Sequence, residues 1–266
     1  MADARRGLGV AAGLDEEVAR DLARRCEALG YASVWSNDHP MASGLETVAL
    51  FADAAPSVDV GVAVLALDRH EPPAVAAQLE AHGVPHERLW LGIGAGFTKR
   101  PLTVVREGLA AVRAAVPDGT RIVTAAMGPR MCALAGAEAD GVFLNWMTPA
   151  KAAWARERVH EGARESGREA PPPVFGYVRV AVGADAEDRL LKEESFYRGL
   201  HQGYIRHFEA LDAAPGTVGI AARDPAEAGP RLAEYETAID HVVVRALASA
   251  DAESLGAVAE AAAPDR

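Results

Sequence analysis

The chain has 266 residues, 50% of them hydrophobic, 24% charged and 6% aromatic, with a formal net charge of −11. That length supports either one barrel-sized core or two smaller ones, and the acidic balance excludes a general nucleic-acid binder, whose affinity rests on a basic surface. No apolar stretch approaches the roughly 20 residues of a membrane span, and MADARRGLGVAAGLDEE turns acidic before any signal-peptide core develops, so a cytoplasmic protein is expected.

Short apolar runs alternate with helical patterns. LGVAAG (8–13) precedes DEEVARDLARRCEALG, where Val18, Leu22, Cys26 and Leu29 recur at helical spacing, the first turn is acidic and Gly30 suits the C-terminus. ASVWSN (32–37) precedes LETVALFADAA. VDVGVAVLAL (58–67) precedes PPAVAAQLEAHG, opened by proline and closed by glycine. RLWLGIGAG (88–96), TRIVTAA (120–126), DGVFLNWM (140–147), PVFGYVRVAVG (173–183) and DHVVVRAL (240–247) complete the strands, and helical patterns follow or separate them. The strands are apolar and valine-rich, as strands buried on both faces of a parallel sheet must be. About eight strand–helix units in a single domain, 1–266, predict an α/β fold of the (β/α)8 TIM-barrel type. An open doubly wound sheet is the alternative, but the loop after the first strand, AAGLDEE, holds one glycine and no phosphate turn. The interval from about 184 to 238 is too long for one helix. Its aromatics Phe196, Tyr197, Tyr204 and Phe208 predict a helical insertion over the barrel mouth or at a homodimer contact. Cys26 and Cys132 have no CxxC partner and are expected to be buried thiols.

In a barrel of this kind the chemistry lies at the C-terminal strand ends. The second strand ends in Ser36-Asn37-Asp38-His39-Pro40, the densest polar cluster at such a position, and a histidine beside an aspartate can move protons near neutral pH. Ala126-Met127-Gly128-Pro129-Arg130 opens a helix after the fifth strand, where free N–H groups suit a phosphate. Asn145 and Trp146 end the sixth strand. In RLWLGIGAGFTKR, Gly92, Gly94 and Gly96 fail the dinucleotide fingerprint, because its third glycine is replaced by Phe97. Alternate glycines instead leave one strand face bare, for another strand's bulk or for a flat ligand.

GYASVWSNDH, GVAVLALDRHEPPAVAAQLEAHGVPHERLWLGIGAGF and AAMGPRMCALAGAEADGVFLNWMTP resemble the bacterial luciferase-like flavin- and deazaflavin-dependent oxidoreductases, and DGVFLNWMTP looks like the F420-dependent branch common in actinobacteria. The likeness implies hydride transfer between coenzyme F420, or FMN, and a small, apolar organic substrate. The acidic charge and the lack of a span-length apolar run predict no nucleic-acid or membrane partner, and Gly83 and Pro85 deny His82 and His86 the helix a metal pair would need, so no metal is expected. By the same resemblance, Asp38 and His39 stand near the ring as catalytic residues. A bulge at Ala63-Val64-Leu65, in relatives often with a non-proline cis peptide, supports the ring's back face. The phosphate sits on 126–130, and Gly92, Gly94 and Gly96 form a bare face under the ring, with Asn145 close by. The sugar-phosphate dehydrogenases of the family carry a Glu soon after the strand-four glycines and a Trp after the Asp-His pair. Here Phe97 and Met41-Ala42-Ser43-Gly44 stand there, which implies an apolar substrate pocket walled by Phe97, Met41 and Trp146. Two other readings are a flavin-binding barrel without turnover and a flavin-free lyase using Asp68 or Lys99.

Overall fold

The computed structural model describes residues 5–264. Eight parallel strands close a barrel: β1 (Arg5–Val10), β2 (Ser33–Ser36), β3 (Asp59–Ala66), β4 (Leu89–Gly94), β5 (Arg121–Ala126), β6 (Gly141–Asn145), β7 (Val174–Val182) and β9 (His241–Ala246), which pairs with both β7 and β1. All eight are the strands expected from the apolar runs. Between β7 and β9 lies a further short strand, β8 (Ile220–Ala222), parallel to the C-terminal end of β7 and outside the ring. The helices are α1 (Glu16–Leu29), α2 (Gly44–Ala54), α3 (Pro72–Ala81), α4 (Pro101–Ala115), α5 (Pro129–Glu138), α6 (Pro149–Glu165), α7 (Ala186–Leu200), α8 (Gln202–Glu209), α9 (Ala228–Ala238) and α10 (Ala252–Ala261).

Local chemistry sets the helix ends. Asp15 caps α1 by accepting from Glu17 N, and Gly30 ends it in the left-handed region at φ 86°. Thr148 caps α6 through Lys151 N. Helices α3, α4 and α5 each begin with proline and have no side-chain cap.

Strand alternation explains the core. One face of each strand packs against the helices, joining Leu8, Val34, Val62, Leu91, Ile122, Val178 and Val244 to Leu22, Phe51 and Leu109. The other face fills the barrel with Trp35, Val123, Phe143, Phe175, Tyr177 and Val243. Four bulky aromatic side chains fit because glycines stand opposite them. A Cβ at Gly61 would lie 2.2 Å from the Trp35 ring, and one at Gly9 would lie 2.5 Å from Tyr177. At the N-terminal end the Asp59 carboxylate takes a fork from Arg121 (3.0 Å to each oxygen) and a hydrogen bond from Trp90 Nε1 (3.0 Å), which closes the barrel floor.

The interval after β7 departs from a purely helical insertion. Helices α7 and α8 are helical as expected, but β8 extends β7, and α9 is the barrel's own helix leading into β9. Trp146, Leu190, Phe208, Val218 and Leu247 form a separate apolar cluster that fixes α7 and α8 to the ends of β6 and β9. Both cysteines are free and buried, and burial pushes the Cys132 thiol up to about 12. Among the described residues, no helix is long and apolar enough to cross a membrane.

Candidate functional site

The mouth of the barrel is the last inward-facing residue of each strand. Rows that begin with inward-facing core side chains continue upward: Phe143 to Asn145, Tyr177 to Arg179 and Val243 to Arg245. On the opposite side β3 carries a bulge between Val62 and Leu65, with a cis peptide at Ala63–Val64. The bulge turns Val64 toward β4, where a Cβ on Gly94 would lie 2.8 Å from Val64 Cγ2 and 3.5 Å from the Ala125 Cβ. Val64, Gly94 and Ala125 therefore make an apolar shelf across β3, β4 and β5. Asn145, Arg179 and Arg245 make a polar, cationic wall across β6, β7 and β9. The mouth is divided in two.

This corrects the expectation for the glycines. The space at Gly92 is already taken, since a Cβ there would meet the Val62 carbonyl oxygen at 2.2 Å. Gly92 thus accommodates the β3 bulge and is not a bare face under a ring. Gly96 lies beyond β4 in the left-handed region at φ 66°, and the Asp68 carboxylate fills its side-chain space while accepting from Phe97 N at 2.8 Å. Gly94 alone of the three stands at the mouth, beside Val64 and Ala125.

Asp38 and His39, adjacent in sequence, do not form a pair. The Asp38 side chain is 3% exposed; its Oδ1 accepts from Gly44 N at 3.0 Å, and its Oδ2 meets Arg69 Nη2 at 3.0 Å and His70 Nε2 at 2.8 Å. The carboxylate therefore ties the β2 loop to the β3 loop, and its histidine is His70. A carboxylate on Nε2 holds the proton there and leaves Nδ1 as a possible base. His39 bends into a tight loop bridged to Ala42, and its Nδ1 accepts from Met41 N at 3.2 Å. Its proton in the neutral ring is therefore on Nε2.

The expected pocket wall is also rearranged. Met41 is 88% exposed and Phe97 is 65% exposed, its ring 5.0 Å from that of His201. Both stand on rim loops and do not wall an enclosed pocket. Trp146, at φ 54°, is buried beneath α7 and α8 and does not line the mouth. Its carbonyl is 2.6 Å from His207 Nε2, and its ring supports the Arg179 guanidinium at 3.8 Å. Asn145 is at the mouth as expected; its Nδ2 donates to Tyr204 Oη at 3.1 Å and its Oδ1 accepts from Arg179 Nη1. Met127 is half-buried, whereas Gly128, Pro129 and Arg130 are exposed at the uncapped start of α5, and nothing lies within 4 Å of a Cβ built at Gly128. Ala126 is buried against the outer core. Sequence reasoning gave no site role to His70, Arg179 or Arg245, and read Tyr204 only as an apolar position of the insertion. The signal for the two arginines was present: each is a lone charge in a valine-rich strand, GYVRVAVG and HVVVRA.

The family model for luciferase-like monooxygenases matches residues 4–114 and 97–261. Among solved structures, the chain is similar to an F420-dependent secondary alcohol dehydrogenase in complex with an F420–acetone adduct, at 17% identity and TM-score 0.74, with 96% of each chain covered. It is also similar to the coenzyme F420-dependent tetrahydromethanopterin reductase of Methanopyrus kandleri, at 17% identity and TM-score 0.71, covering 98% of this chain and 99% of that one. A third is the FMN-bound oxygenating constituent of 3,6-diketocamphane monooxygenase from Pseudomonas putida, at 15% identity and TM-score 0.66, with 98% of each covered. No curated protein matches. The family model spans nearly the whole chain, and the closed barrel agrees with it: the chain belongs to the luciferase-like monooxygenase family.

Proposed function

We propose that the chain is an oxidoreductase that transfers a hydride at the barrel mouth between coenzyme F420, or FMN in its place, and a small, largely apolar organic substrate. The observation that carries this reading is the divided mouth. An apolar shelf (Val64, Gly94, Ala125) faces a wall of hydrogen-bond donors (Asn145, Arg179, Arg245), as a flat ring with one apolar face and polar edges requires. The start of α5 fits a phosphate as well, since its first N–H groups have no side-chain cap, Gly128 is open on all sides and Arg130 is exposed. In this reading Ala63 and Val64 support the ring, Met127 to Arg130 hold the phosphate and Asn145 orients the ring's edge. The cofactor, when bound, supplies the two-electron chemistry. The chain's own residues exclude water, through α7 and α8, and manage protons. His39 offers Nε2–H, and His70, oriented by Asp38, offers Nδ1. The exposed Leu191, Phe196 and Leu200 on α7 form the surface a homodimer would cover, and the mass in solution checks that.

The test is a titration of the purified protein with F420 and with FMN, following each chromophore, and then reduction of the bound species by candidate alcohols or ketones. Saturable binding of one of them with turnover is the expected result. Binding without turnover on any reductant or oxidant reduces the chain to a cofactor-binding barrel. No binding of either removes the reading.

A further inference from the structure

Arg179 and Arg245 stand opposite each other on neighbouring strands, β7 and β9. Both continue inward-facing rows, so both guanidinium groups belong to the mouth. Like charges on adjacent strands repel, and burial removes the water that would screen them. Arg179 is 2% exposed. It rests on Trp146 and donates to Asn145 Oδ1, yet its Nε has no acceptor. Arg245 donates to the carbonyl oxygen of Ala246 at 3.2 Å, across a single peptide. Among the described residues, no carboxylate comes within 4.0 Å of either group; Glu193 on α7 acts on Arg179 from farther away. Burial, opposed in part by Tyr197 and reinforced by Arg245, pulls the Arg179 guanidinium down from its ordinary value.

Other arginines that hold this fold together end on carboxylates or on several carbonyls, although the Nε of Arg121, like that of Arg179, has no partner. Arg88 donates to the carbonyls of Ala52, Ala55 and Val58, Arg121 forks onto Asp59, and Arg6 reaches Glu236, Ala262 and Ala263. An arginine kept for structure ends on acceptors. Each arginine of the mouth pair has one neutral acceptor and, among the described residues, no carboxylate, and buried donors without acceptors cost stability unless something else completes them. Nearby, Tyr177 Oη is another buried polar atom without a partner, and its hydroxyl is pushed up to about 12 by burial. An oxyanion lying between the two guanidinium groups would relieve their repulsion and take charge-assisted hydrogen bonds from both.

We propose that Arg179 and Arg245 form an oxyanion-binding subsite in the wall of the mouth, and that the substrate of this chain carries the carboxylate, phosphate or sulfonate that fills it. The assignment to substrate rests on the cofactor reading above, in which the cofactor's phosphate is held on the rim by α5. The substrate is then an apolar body with an anionic head. The head sits on the arginines, and the body lies toward the exposed Phe97 and Met41 of the rim.

The probe is inorganic sulfate, titrated calorimetrically into the wild-type chain and into Arg245→Gln, Arg179→Gln and, as a surface control, Arg24→Gln. Arg245 is half-buried, so its variant is the one expected to fold without loss; circular dichroism confirms each variant's fold. Sulfate affinity should fall about tenfold or more in Arg245→Gln and in folded Arg179→Gln, and stay within twofold of wild type in Arg24→Gln, an exposed arginine on α1. An equal loss in Arg24→Gln, unchanged affinity in Arg245→Gln, or no sulfate binding by the wild-type chain overturns the subsite. Repeating the titration with the chain saturated in F420 or FMN separates the two sources of oxyanion. Unchanged sulfate affinity supports the substrate's anion; one-for-one competition gives the arginines to the cofactor's own acidic groups and overturns the substrate assignment. If neither cofactor binds while the arginine-dependent sulfate site persists, the subsite stands and the redox reading falls alone.

Discussion

Replacing Gly92 with alanine separates two explanations for the alternate glycines of β4. The added methyl group would lie 2.2 Å from the Val62 carbonyl oxygen, 2.9 Å from Val64 Cγ1 and 3.3 Å from the Ala63 Cα. Two of those three atoms are backbone, and Val62 is held in the ladder opposite Leu91, so the bulge cannot yield by a side-chain rotation. Forcing extra volume into a packed interior costs about 1–3 kcal/mol, and in a chain of this size each kcal/mol lowers the midpoint by roughly 2–4 °C. Gly92→Ala should therefore melt several degrees below wild type in differential scanning calorimetry of the cofactor-free protein. At Gly94 the nearest atom is the tip of a valine side chain, which can turn, so Gly94→Ala should lose less. Gly128→Ala, with open space around the new methyl, should melt within about a degree of wild type. If Gly92→Ala keeps the wild-type midpoint without cofactor and instead loses only cofactor affinity, the glycine serves a ring and the bulge argument is refuted.

Asp38→Asn keeps the hydrogen bond from Gly44 N but deprives Arg69 and His70 of their anion, and it should cost about 1–3 kcal/mol by chemical denaturation. His39→Ala should slow turnover by roughly 10²–10⁴ with little change in melting temperature, since its contacts lie within its own tight loop. Phe97→Ala, at an exposed rim position, should change stability by less than about 0.5 kcal/mol, whereas Phe208→Ala, buried against Trp146, should cost about 3–5 kcal/mol. Burial holds the His207 pKa below its ordinary value, and Lys151 adds to that, so the unfolded chain takes up this proton first. The stability His207 contributes is complete above the unfolded pKa of about 6.5 and is lost as the pH falls below it. His207→Gln, which keeps a donor for the Trp146 carbonyl, should show a flatter fall in melting temperature between pH 7 and 5.

All eight barrel strands were legible because each carries a short, largely apolar, mostly valine-rich run that the barrel buries. The strand β8 was not legible. Three residues, Ile220 to Ala222, carry no periodicity, and their pairing with Val180 to Val182 is a long-range event. Much the same holds for the site. Asp38 could be picked out as a polar residue at a strand end, but its true partner His70 lies 32 positions away, while the adjacent His39 is turned aside by its own loop. Alternate glycines signalled a close approach, but not whether a ligand or the neighbouring strand makes it. Trp146 looked like a ligand wall because nothing in its own segment reveals that α7 and α8 fold over it. The arginines are the opposite case. Alternation from Phe175 and Tyr177 points Arg179 into the barrel, and a charge in a buried strand is itself the signal.

A crystal structure of the chain saturated with F420 and, separately, with FMN tests the central claim most directly. The ring should lie in the mouth against Val64, Gly94 and Ala125, with its phosphate at the N–H groups that open α5. A ring bound outside the mouth, or a phosphate seated on the loop after β1, would contradict the assignment of this end of the barrel as the site of hydride transfer.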